Sequence, residues 1–176
     1  ESIAGRIKPL CAIQEIGDCK LAIEAVVEKL DVKQIVFREL EAALSPAAIL
    51  ATNTSAFSVS ELAAATRRPE RVIGLHFFNP VAQMPLVEVV RGAGTRPEVL
   101  AAALAFTRKI DKLPLPVKDA PGFLVNAVLG PYMNEAMKCV DEGIAPETID
   151  AALVAFGMPM GPIELADTVG LDVAVH

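Results

Sequence analysis

The period of the apolar positions changes repeatedly along the chain, and each change marks an element. Leu21 to Val27 (Leu-Ala-Ile-Glu-Ala-Val-Val) is a short apolar run that predicts a buried strand. From Glu28 to Leu44 the apolar residues Leu30, Ile35, Phe37, Leu40 and Leu44 recur at helical spacing. Ala48 to Thr52 predicts a second strand, ending in the polar triplet Asn53-Thr54-Ser55. Ser58 or Ser60 is the N-cap candidate of the next helix, with Glu61 in its first turn and an end near Thr66. A third strand follows from Arg71 to Phe78, halted by Asn79-Pro80, and a fourth from Pro85 to Val90. Pro97 to Lys109 predicts a helix, and the proline-flanked run Leu113 to Val117 an edge strand.

Strand, helix, strand, helix, strand in this rhythm implies an α/β sheet with helical crossovers. Beyond Asp119-Ala120-Pro121-Gly122, a cluster of helix and strand breakers, the strand period is gone. Phe123 to Glu142, Pro146 to Phe156 and Gly161 to the end read as three helices. Two domains are therefore expected, a sheet domain over 1–117 and a helical domain over 118–176.

Composition narrows the function classes. The 176 residues are 53% hydrophobic and 22% charged, which excludes a disordered chain and leaves enough apolar surface for a core. Twenty-two acidic against sixteen basic residues give a net charge of -6, which argues against nucleic acid as the main partner. Charges interrupt every apolar stretch before the ~20 residues a membrane span needs. Cys11, Cys19 and Cys139 fit no zinc spacing and read as free thiols of a reducing compartment, with no metal expected. With no secretory leader evident, a cytoplasmic location is expected. The chain opens on Glu1 rather than Met, so a piece of a longer protein is expected.

Of two histidines, His176 is terminal, and His76 is the credible proton-transfer group. It lies in the apolar strand Leu75-His76-Phe77-Phe78, and a lone histidine there is more often a hydrogen-bonded core residue. Glu88, however, stands in the next apolar run, Leu86-Val87-Glu88-Val89-Val90, where a carboxylate needs a partner. If these strands are neighbours, Glu88 orients the ring and raises its basicity. Asn53 and Ser55 stand at a third strand end, where open α/β sheets assemble their sites, and Asn126 is a polar group on an apolar helix stripe. A serine hydrolase is excluded by the missing Gly-x-Ser-x-Gly around Ser55. None of the eleven glycines forms Gly-x-Gly-x-x-Gly, so a phosphate-cradling half is not among these residues.

Six ordered blocks carry a family resemblance: Ala25-Val-Val-Glu28-x4-Lys33, Ala51-Thr-Asn53-Thr-Ser55, Gly74-Leu-His76-Phe-Phe-Asn79-Pro80, Met84-Pro-Leu-Val-Glu88-Val-Val, Pro121-Gly-Phe-Leu-Val-Asn126 and Gly157-Met-Pro-Met-Gly-Pro-x-Glu-Leu-x-Asp-x-x-Gly-Leu-Asp172. Together they resemble the L-3-hydroxyacyl-CoA dehydrogenases, most of all the dehydrogenase part of bacterial multifunctional fatty-oxidation enzymes, with 3-hydroxybutyryl-CoA dehydrogenases close behind. The resemblance implies the C-terminal part of a Rossmann-like NAD-binding domain followed by an all-α dimerisation domain. It implies His76 as general base, Glu88 as the residue that holds its tautomer, and Ser55 and Asn126 as hydrogen-bond donors to the substrate oxygen. It also implies Glu28, Lys33, Asn53 and Asn79 as contacts of NAD, an acyl-CoA substrate, and a homodimer through the C-terminal helices. Many members carry Arg after the motif asparagine, where this chain has Ala127.

The glycine-rich front of the family is expected upstream, so the chain by itself is expected to turn over little or not at all. Two other readings stay open at this point. One is a non-catalytic dimerisation or binding module derived from the family; the other is a two-domain dehydrogenase acting on a hydroxy acid without CoA.

Overall fold

The computed structural model describes residues 3–169; the last residues of the sixth block, the expected end of the last helix and His176 lie outside them. The elements are β1 (Leu21–Glu24), α1 (Leu30–Ala43), β2 (Ile49–Thr52), α2 (Val59–Ala63), β3 (Val72–Phe77), β4 (Leu86–Arg91), α3 (Pro97–Lys109), β5 (Leu113–Lys118), α4 (Val125–Asp141), α5 (Pro146–Phe156) and α6 (Pro162–Val169). The chain forms two compact units, Glu1–Phe123 and Leu124–His176.

In the first unit the five strands lie in the order β1-β2-β3-β4-β5. β1, β2 and β3 are parallel, β4 turns antiparallel to β3, and β5 is parallel to β4. This is the α/β sheet the periodicity predicts: each parallel pair is joined through a helix, and only β3 and β4, which run antiparallel, are joined by a loop. β5 tolerates Pro114 and Pro116 because it is an edge strand with one side free of a partner.

Side chains alternate across the sheet, so its two faces build two cores. Phe37, Leu40 and Leu44 of α1 and Val59 and Ala63 of α2 pack with Ala22, Leu50, Val72 and Val90 on one face. Val99 and Ala103 of α3 pack with Ala51, Ile73, Leu75, Val87 and Val89 on the other. Phe37, Leu50, Val59 and Val72 are fully buried, and such side chains contribute about 1.5–3 kcal/mol each. Gly74 permits the close approach of α2: a Cβ there would stand 2.7 Å from Val90 Cβ and 2.9 Å from Val59 Cγ2.

Several element ends shift by one to three residues from expectation, and two of the shifts have a plain local reason. β1 stops at Glu24 instead of Val27, because the Val26 N–H donates to Glu24 Oε2 (3.2 Å) and the Lys29 N–H to Val27 O (2.7 Å), which turns the chain out of the ladder. β3 begins at Val72, since Arg71 closes a short 3-10 turn, Pro69–Arg71. The buried Arg71 side chain donates to Ser45 O (2.8 Å) and Ala48 O (3.3 Å) and meets Glu41 (3.5 Å), tying the end of α1 to the starts of β2 and β3.

The second unit is helical throughout its described part. Asp150 of α5 caps α6, accepting from the Ile163 N–H (2.8 Å) and the Glu164 N–H (3.0 Å). A side chain at Gly161 would overlap that carboxylate. Within the same unit, burial pushes the Tyr132 phenol above its ordinary pKa, and the negative charge of Asp150 adds to the rise.

Candidate active site

Parallel β1, β2 and β3 end at one edge of the sheet, and β4 starts there. That edge collects the polar groups singled out in the sequence of the first unit. Register pairs His76 with Glu88, and His76 Nδ1 lies 2.8 Å from Glu88 Oε2. Their side chains are 8% and 0% exposed. An ionised carboxylate only accepts; opposite one, a neutral imidazole places its proton on Nδ1 and leaves Nε2 to exchange one. Two aromatic rings flank the imidazole, Phe78 at 4.6 Å and Phe123 at 5.6 Å between centroids. Phe123 reaches that position from a left-handed backbone conformation, φ 51°, directly after Gly122 at φ 71°.

At the end of β2, the Asn53 N–H extends the ladder to Glu24 O (3.0 Å). Its side-chain Oδ1 accepts from the Phe77 N–H at 2.9 Å, which fixes the strand end next to His76. Ser55 is exposed two residues on, and Asn79 is exposed beyond β3.

Glu28 organises the loop that carries Ser55. Its Oε1 accepts from Thr54 Oγ1, the Ser55 N–H (3.2 Å) and the Ala56 N–H (3.3 Å), and its Oε2 meets Lys33 Nζ at 3.0 Å. Burial raises the Glu28 pKa, but Thr54, Lys33 and the Ala56 amide together outweigh it and hold the carboxyl below its ordinary value.

Lys33 is 1% exposed, and its Nζ also reaches Glu24 Oε1 (3.1 Å) and Oε2 (3.0 Å). The sequence-predicted Glu28, Lys33, Asn53, Ser55, His76, Asn79 and Glu88 all lie on the first unit, around this sheet edge. Asn126 is exposed on α4 of the second unit, with Ala127 beside it.

Glu24, Thr52 and Thr54 were missed. All three are buried, and Thr52 Oγ1 donates to Glu24 while accepting from the Thr54 N–H at 3.1 Å. The available signal was the one that exposed Glu88: a lone carboxylate inside an apolar run, here Leu-Ala-Ile-Glu. In the sequence, Asp119 shows only as part of a breaker cluster. It accepts from Ser58 Oγ (2.7 Å), the Val59 N–H (3.0 Å) and the Ser60 N–H (2.8 Å), capping α2 from the end of β5. Burial raises its pKa, and the hydrogen bonds from Ser60, Ser58 and Val59 reverse this, leaving it below its ordinary value.

Comparison with known proteins agrees along the whole chain. Residues 1–120 match the family described as "3-hydroxyacyl-CoA dehydrogenase, NAD binding domain", and residues 122–176 match "3-hydroxyacyl-CoA dehydrogenase, C-terminal domain". A fatty acid oxidation complex subunit alpha of Pseudomonas savastanoi pv. phaseolicola is 47% identical over 170 residues, which is 97% of this chain and 24% of that protein. The chain thus spans about a quarter of the length of such relatives. The crystal structure of (S)-3-hydroxybutyryl-CoA dehydrogenase from Ralstonia eutropha superposes with TM-score 0.94 at 39% identity, over 98% of this chain and 62% of that one. For 3-hydroxybutyryl-CoA dehydrogenase from Escherichia coli K12 the TM-score is 0.90 at 45% identity, over 94% and 36%.

Proposed function

Because the chain belongs to the 3-hydroxyacyl-CoA dehydrogenase family, we propose that it carries the proton-transfer site of an NAD-dependent oxidation of L-3-hydroxyacyl-CoA to 3-ketoacyl-CoA in fatty-acid β-oxidation. The observation that carries this reading is the buried contact of 2.8 Å between His76 Nδ1 and Glu88 Oε2 at the carboxyl end of β3.

A secondary alcohol becomes a ketone when its oxygen loses a proton and its carbon a hydride. His76 Nε2 is the base for the 3-hydroxyl proton. Glu88 holds the proton-accepting tautomer and stabilises the positive charge that forms on the ring. Phe78 and Phe123 flank the ring and give it an apolar surrounding. Ser55 and Asn126 hydrogen-bond the substrate oxygen as negative charge gathers on it. For Ser55 the support is its exposed place on the loop held by Glu28; for Asn126 it is the Pro-Gly-Phe-Leu-Val-Asn block alone. A dimerisation module would have no use for a buried imidazole–carboxylate pair, since apolar residues of equal volume hold a sheet as well or better.

NAD, when bound, accepts the hydride. The residues present fit its nicotinamide end: Asn53, Asn79 and Glu28, whose side chain is 38% exposed, lie at the ends of β2, β3 and β1. Lys33 joins this set through Glu28. The pyrophosphate contact is not supplied by these 176 residues, because their glycines form no Gly-x-Gly-x-x-Gly.

We further assign the chain to a cytoplasmic homodimer, paired through its second unit. The support is the relatives' place in fatty-acid oxidation and the apolar side chains left exposed at the start of α4 and on α5: Leu124, just before α4, and Val128, then Val154 and Phe156, the last 83% exposed. No described helix is long and apolar enough to cross a membrane.

The test is NADH formation from 3-hydroxybutyryl-CoA by the full-length protein. His76→Gln should lower kcat by about 10²–10⁴ with little change in KM, and undiminished turnover would overturn the assignment.

A further inference from the structure

We propose that Glu24 and Lys33 are positioning residues for the loop 53–57: Glu24 anchors the Lys33 ammonium, the ammonium fixes Glu28, and Glu28 fixes the backbone at Ser55. An ammonium has three protons and no acceptor, and here the protein fills it. Lys33 Nζ contacts Glu24 Oε1 (3.1 Å) and Oε2 (3.0 Å), Glu28 Oε2 (3.0 Å) and Val26 O (3.5 Å). Buried at 1% exposure with its protons directed at Glu24 and Glu28, Lys33 acts on the loop through Glu28.

The opposite oxygen of Glu28 accepts from Thr54 Oγ1 and from the Ser55 and Ala56 amides. A second strut joins the same parts: Thr52 Oγ1 donates to Glu24 and accepts the Thr54 N–H. Two carboxylates share one ammonium, so removing Lys33 alone leaves two like charges facing each other, one of them buried. The structural half of this inference stands on the contacts; its catalytic half rests on the function proposed above.

The test variant is Glu24→Gln combined with Lys33→Met, which deletes both buried charges while keeping side-chain volume. Hydrogen exchange on the full-length protein should show the Ser55 and Ala56 amides exchanging about 10–100-fold faster, with the β3–β4 amides unchanged. Glu24→Gln alone is the milder variant and should give a smaller rise at the same two amides. In the full-length protein the double variant should lose about tenfold or more in kcat while KM for the acyl-CoA stays within about twofold.

Unchanged exchange at Ser55 and Ala56 in either folded variant would overturn the inference. So would an intact kcat with weakened NADH affinity, which would make Lys33 a cofactor ligand. Faster exchange in a protein whose wild type oxidises no 3-hydroxyacyl-CoA would sink the proposed function and leave the positioning role standing.

Discussion

Asp119, half-buried, and Glu28, still partly exposed, are carboxylates whose oxygens accept several hydrogen bonds each or meet an ammonium. Both titrate below their ordinary values, so they bind protons less readily folded than unfolded. Their contribution is complete above the unfolded carboxylate pKa of about 4 and is lost as pH falls through the lower, folded value. Thermal melts should therefore hold a plateau near neutrality and drop below about pH 4. Asp119→Asn weakens the α2 cap and should cost about 1–2 kcal/mol at pH 7, a gap from wild type that narrows in acid as both forms become neutral. A melting difference that stays constant with pH would contradict this. His76 and Glu88 were legible as residues because each is a polar type alone in an apolar run. Lys33 was legible only as a motif position, since a lysine on a helix carries no sign of whether its ammonium faces water or a buried glutamate.

At the scale of the element, the close contacts of β3 with its neighbours set the tolerances. Gly74 sits where a methyl would press on Val90 of β4 and Val59 of α2 at once. Gly74→Ala should destabilise the first unit by about 1–3 kcal/mol, read as a lower urea midpoint with little change in slope. α2 is only five residues long and depends on caps at its start: Ser58 Oγ accepts the Glu61 N–H at 3.2 Å, and Asp119 accepts two further amides. Helix and strand positions followed from periodicity, because the face a residue presents repeats within one or two turns of chain. The end of β1 did not. Val26 donates to the Glu24 side chain, and whether that carboxylate turns back to the chain or stands across the strand depends on Lys33, nine residues away.

Taken whole, the chain forms two units: the first carries the proposed proton-transfer site, and the second exposes the apolar side chains of the proposed dimer face. Sedimentation of the 176-residue chain should show a dimer, and Val128→Asp with Phe156→Asp should yield a folded monomer; a monomeric wild type would refute the pairing. The same chain titrated with NADH should bind far more weakly than the Escherichia coli relative, since phosphate contacts at a glycine-rich turn supply much of a dinucleotide's affinity.

The α/β class, the order of elements, the family and the residue types at the site follow from the chain alone, because periodicity, turn chemistry and motif spacing are all local in it. Tertiary structure alone decided that β4 reverses direction beside β3 and so sets Glu88 opposite His76, twelve residues apart in the chain. It likewise decided that Lys33 is shared between Glu24 and Glu28, and that Thr52, twenty-eight residues from Glu24, closes the same network. Pairing across strands is fixed by register and by which buried donors remain to be satisfied, and neither is written in the pattern of a single strand.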